Sequence, residues 1–73
     1  MRPEEIQVGH IYASKGGRTE RKVVRIWIET GLLAPLEWLT YHVIKNNAWD
    51  APSFDEGMHL GNFAAWADHE VTP

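Results

Sequence analysis

The stretch LGNFAAWADHEV, residues 60–71, decides how the rest of the chain is read. Asn62 is a good helix N-cap, because its side-chain oxygen can accept from an otherwise unpaired amide of the first turn. Phe63-Ala64-Ala65-Trp66-Ala67 then gives about one helical turn, over 62–67, with Phe63 and Trp66 three residues apart on one side. A single turn does not hold in water by itself. It must dock, its two rings are the docking surface, and Asp68 to Val71 leads out of it as a short last strand.

What precedes this box is written in strand periodicity. The strongest strand signal is Glu20–Glu29, ERKVVRIWIE, whose alternation puts Val24, Ile26 and Ile28 on one face, read as core, and Arg21, Val23, Arg25 and Trp27 on the other. A second strand is Glu37–Ile44, with alternate faces Leu39, Tyr41, Val43 and Trp38, Thr40, His42, Ile44. Ile6–Tyr12 reads as a first strand with Val8 and either His10 or Tyr12 inward, and Gly57–Leu60 as a brief fourth.

The connections carry turn chemistry. Ser14-Lys15-Gly16-Gly17-Arg18-Thr19 joins the first two strands through a glycine pair that permits positive φ. Thr30 to Pro35 breaks the pattern with Gly31 and Pro35, leaving Leu32 and Leu33 to fold over one end, and 45–56 is a polar, turn-rich segment that holds Trp49 and Phe54. Five short strands with one helical turn before the last match a mostly β, five-stranded SH3-like barrel, in which the turn plugs the gap and returns the chain to close the sheet. An OB-like barrel is the other candidate, and it usually needs more residues and a longer helix.

At 73 residues the chain has room for one domain, 1–73, and buries only about 60 % of its unfolded surface. There is no cysteine, so a disulfide framework or thiolate zinc site is excluded. The core must come from eight aromatic residues, each able to bury roughly 150–250 Å². No apolar run approaches the roughly 20 residues of a membrane span, and Met1-Arg2-Pro3-Glu4-Glu5 lacks the layout of a signal peptide; both lead to the expectation of a cytoplasmic protein. The charge is uneven: residues 1–28 carry six cations against three acids, or +3, and 29–73 carry Lys45 against seven acids, or −6, together the net −3.

Function is less marked than fold. Asp68-His69-Glu70 is the densest set of metal-ligating types, but adjacent strand residues point to opposite faces, and no histidine pair has helical i, i+4 spacing, so no metal or other cofactor is expected. Ser14 and Ser53 lie in loops without a nucleophile elbow, and no acid–base pair is singled out, so the reading is non-enzymatic. Lys15, Arg18, Arg21, Lys22 and Arg25 form the basic loop and strand, interleaved with Trp27; such a set can contact a partner or grip phosphates, or its arginine stems can simply cover a solvated strand. Trp49 and Phe54 can line a groove or staple their loop to the core.

A Val8-Gly9 start with Tyr12, the Gly16–Arg18 loop, Arg21-Lys22-Val23 with Ile26, and the Leu60, Phe63, Ala64, Trp66, Ala67 box occur here in one order. That pattern resembles one found in short phage- and prophage-encoded proteins, and leaves roughly 29–56 unmatched. The resemblance implies a viral or prophage origin and no activity, cofactor or site. The expectation is thus an interaction module that binds a protein partner through Arg18, Arg21, Arg25, Trp27 and Trp49. The alternative is a nucleic-acid-binding accessory factor that uses the same basic strand and loop.

Overall fold

A computed structural model describes residues 1–31, 33–46 and 55–71; Leu32, Trp49 and Phe54 lie outside them. A 3-10 turn, Pro3–Glu5, opens the chain with proline at its first position, where a missing amide costs nothing, and the Glu5 carboxylate accepts from the Arg2 amide at 3.2 Å. There follow β1 (Ile11–Ala13), β2 (Thr19–Glu29), β3 (Leu36–Asn46), β4 (Asp55–His59), helix α1 (Leu60–Trp66) and β5 (His69–Val71). All pairings are antiparallel, in the order β4-β3-β2-β1-β5.

The described residues are therefore mostly β, one five-stranded antiparallel sheet with a single short helix. Among the described residues the sheet is not closed: β4 and β5 are its two edges. The expected barrel closure is absent among the described residues because the helix, rather than strand-to-strand pairing, covers the apolar face. Phe63 is fully buried at the centre of a cluster with Ile6, Tyr12, Val23, Leu39, Tyr41, Val43, Leu60, Ala64 and Ala67. Its ring meets Tyr12 edge-on at 5.8 Å between centroids and lies 5.9 Å from Tyr41 and 5.2 Å from Trp66. Four rings in one contact set give a small chain a core without a covalent staple.

The helix is longer and begins earlier than the Asn62 reading expects. Its N-cap position is His59 (φ −64°, ψ 138°), which makes no side-chain capping bond, so burial of Leu60, Phe63 and Ala64 holds it in place of a cap. At its other end the backbone nitrogen of Met1 donates to the carbonyls of Ala64 at 2.9 Å and Ala67 at 3.0 Å, positions where helix carbonyls lack partners of their own.

The face assignment of β2 is corrected by a β-bulge. Val23 pairs with Tyr41 and Arg25 with Thr40, which leaves Val24 as an extra residue between them. Simple alternation fails at that point. Val23 is fully buried whereas Val24 is 43 % exposed, and Arg21 shares the covered face with Val23. Beyond the bulge the phase is reversed, so Ile26 packs against the core and Arg25 and Trp27 turn outward. Ile28 keeps the inward phase of Ile26 but lies beyond the helix and is 60 % exposed. Leu33, expected to fold over one end, is likewise fully exposed.

The first strand is also shorter than its apolar pattern suggests. Gly9 adopts φ +86°, Val8 and His10 are exposed, and the buried members of the segment are Ile6 and Tyr12. The Tyr12 hydroxyl accepts from the Gln7 amide at 2.8 Å and donates to the Glu5 carbonyl at 3.1 Å, stitching the N-terminal turn to the core.

Candidate interaction surface

The sheet has one covered and one open face, and the sequence positions on the open one follow from register. The row Ile26–Leu39–Met58 runs beneath the helix; the neighbouring row, Trp27–Trp38–His59, must then point the other way. Trp38 packs against His59 with ring centroids 4.0 Å apart and planes inclined at 45°. The Arg25 guanidinium lies 4.9 Å from the centroid of the Trp27 ring, two residues along the same strand. Three strands thus present a contiguous aromatic row with a cation resting on one end. Cation–ring contacts of this kind contribute about 0.5–1 kcal/mol at exposed sites.

Two further rows complete that face. Arg25–Thr40–Gly57 lies beside the aromatic row, and Lys22–His42–Asp55 beyond it, with His42 Nδ1 2.9 Å from Asp55 Oδ1. None of these residues, nor Trp27, Trp38 or His59, is buried. The face is therefore polar at one end and aromatic at the other.

The structure separates residues that the sequence groups together. Arg21 does not join Arg25: its guanidinium is held on the covered side, 4.2 Å from the Trp66 ring centroid and 4.6 Å from that of Tyr41, with Nη1 3.9 Å from the Met58 sulfur. Its Nε is buried without a partner among the described residues. This cation roofs the core as an ordinary packing element. Arg18 and Lys15 are exposed in the Ser14–Arg18 turn, where Gly16 and Gly17 take φ +86° and +69°, and this turn is at the opposite end of β2 from Trp27. Trp49 lies outside the described residues. Of the five expected contact residues, Arg25 and Trp27 are thus brought together, Arg18 stands apart and Arg21 faces inward.

Trp38 and His59 are the members that sequence reasoning did not single out. A signal existed: Trp38 falls in the alternate set of its strand opposite Leu39 and Tyr41, and a face with Trp38 but no other large ring reads as neither core nor solvent. Only the register that sets it against Trp27 and His59 gives it neighbours.

The remaining histidines form pairs. His10 contacts Glu70 across β1 and β5, and His69 Nδ1 lies 2.9 Å from Asp68 Oδ2. No three metal-ligating side chains converge among the described residues. Ser14 Oγ accepts from the Thr19 amide at 3.3 Å and so serves its turn. Both buried phenols, Tyr12 and Tyr41, have pKa values raised above 10.0, chiefly by burial; for Tyr41, donation to Glu56 Oε2 at 2.7 Å adds to the effect. No helix of the described residues is long and apolar enough to cross a membrane. Comparison with protein-family models, with curated proteins and with solved structures gives no match.

Proposed function

We propose that this protein is a non-enzymatic binding module of phage or prophage origin, working in the host cytoplasm, whose open sheet face engages a protein partner. The observation that carries the reading is the half-buried row Trp27–Trp38–His59 on the open face, with Arg25 laid on Trp27. Tryptophan and arginine are the residue types that dominate binding energy at protein interfaces, and these are held by a pleated scaffold, so little ordering entropy is lost on contact. The strand order, with a helix delivering the last strand beside the first, is also that of SH3-like barrels, and supports viewing the domain as an opened relative of them. Small folds of this kind host many functions, so the face and not the topology bears the argument.

Nucleic acid is the less favoured ligand. Tracking a phosphate backbone needs several free cations in line. Here Arg21 is engaged by two rings on the other side of the sheet, and Asp55 stands beside His42 on the open face.

Capture from host lysate with wild type and with an Arg25→Ala/Trp27→Ala double variant tests the reading. A protein retained by wild type and lost by the variant, with unchanged circular dichroism, is the expected result. Identical captures overturn the assignment of the face, and binding of an oligonucleotide that collapses between about 50 and 200 mM salt moves the function to nucleic acid.

A further inference from the structure

From the free edge of β2 we infer that this chain pairs with a second copy of itself, through an antiparallel strand-to-strand contact over Arg25–Glu29 centred on Trp27. On its outer side β2 is paired by β1 only over Glu20–Lys22, with Gly9 and His10 bonding to Val23; beyond Val23 that side is unpaired among the described residues. The row of amide and carbonyl groups this leaves is a template for another strand.

What that strand must be follows from the residues along the edge. In an antiparallel pair with a two-fold axis at Trp27, Ile26 faces Ile28 of the second copy and Arg25 faces its Glu29, each contact occurring twice. Opposite charges directly across a ladder attract, and Arg25 and Glu29 are both exposed and on the same face as Trp27. Moving the axis one residue either way sets Arg25 against an uncharged partner, so the charges define a single register. That same pairing covers Ile28, the most exposed apolar side chain of the strand, with Ile26. The other edges are shorter. The β4 edge begins Asp55-Glu56-Gly57, and β5 is three residues long.

The pairing would also join the two open faces. The row His59–Trp38–Trp27 would continue directly into Trp27, Trp38 and His59 of the second copy, doubling the aromatic platform on one ten-stranded sheet. This inference does not depend on any partner of another sequence.

Sedimentation velocity on the full chain from about 1 μM to about 1 mM tests it, since that range brackets the affinities of weak edge contacts. Wild type is expected to shift from monomer to dimer with concentration, and the amides of Ile26 and Ile28 to exchange more slowly as it does. Arg25→Glu and Glu29→Arg each place like charges opposite one another twice and should weaken self-association about tenfold or more. Mixed in equal amounts, the two variants restore both charge pairs and should form a one-to-one heterodimer. A wild type monomeric across the whole range, single reversals that associate as wild type does, or a mixture no better than its components would each overturn the inference. Glu29 is exposed, so unchanged melting of Glu29→Arg is the expected control; Arg25→Glu also gives up the contact with the Trp27 ring, and the wild-type exchange measurement stands without either variant.

Discussion

Tyr12 shows how one side chain ties distant parts of a small chain together. Its ring packs edge-on against Phe63 in the core, and its hydroxyl closes the N-terminal turn by bonding to Gln7 and Glu5. Replacing it with phenylalanine keeps the packing and leaves the Gln7 amide unpaired, so Tyr12→Phe should cost about 1–3 kcal/mol in chemical denaturation. The raised phenol pKa has a second consequence. Because folding favours the protonated phenols of Tyr12 and Tyr41, their contribution is fully present below pH 10.0 and is lost as pH rises through the higher folded-state values. Stability should therefore fall above about pH 10, with tyrosinate absorbance rising together with unfolding, and Tyr12→Phe should blunt that fall. None of this was legible in the residues alone: Tyr12 could be placed inward or outward, and its partners lie in a 3-10 turn that strand periodicity does not register. The inward position of Arg21 is hidden in the sequence for a related reason. A cation on a strand reads as solvent-facing, and only the flanking rings of Tyr41 and Trp66 make a covered position tolerable.

Among the elements, α1 does for this sheet what closure does for a barrel. It supplies Leu60, Phe63 and Ala64 to the apolar face, and its last carbonyls are satisfied by Met1 and its C-cap by the Ala67 amide bonding to Phe63. Truncating the central ring, Phe63→Ala, should cost roughly 3–5 kcal/mol, a large share of what a domain of this size has, and should leave the protein unfolded or nearly so by circular dichroism. The docking of the Phe63/Trp66 box was legible from its spacing, because two rings on one short turn have no stable alternative to burial. Its start was not, since Asn62 offers a cap that the chain does not use. The strands β2 and β3 were legible from their β-branched and aromatic residues, as was the division of β3 into a Leu39, Tyr41, Val43 face and its opposite; the faces of β2 were not. No glycine or proline marks the bulge at Val24; it is set by how the two strands pair, which is information carried by neither strand alone.

At the scale of the whole molecule, the dimensions of 40 × 24 × 17 Å reflect a long β2–β3 hairpin that runs past the helix-covered core. The half near Val23, Leu39 and Tyr41 is flanked by β1, β4 and the helix, whereas the half that holds Trp27 and Leu36 has strand partners, among the described residues, only within the hairpin and at β4. Amide exchange should follow this division: slowest at Val23 and Tyr41, approaching global stability, and faster from Ile28 through Glu37 at concentrations where the chain is monomeric. A hairpin protected uniformly along its length would contradict it. The open face that this architecture leaves is where the proposed binding resides, so everything functional depends on which side of the sheet each β2 residue occupies.

That assignment is open to one direct comparison, the stabilities of Val23→Asp and Val24→Asp. With the bulge as described, a carboxylate at 23 is driven into the apolar core and the protein should not fold, whereas at 24 it meets solvent and should change stability by less than about 1 kcal/mol. The reverse outcome, a folded Val23→Asp and an unfolded Val24→Asp, would restore unbroken alternation along β2, place Arg21 and Val23 on the open face beside Arg25 and Trp27, and contradict the account.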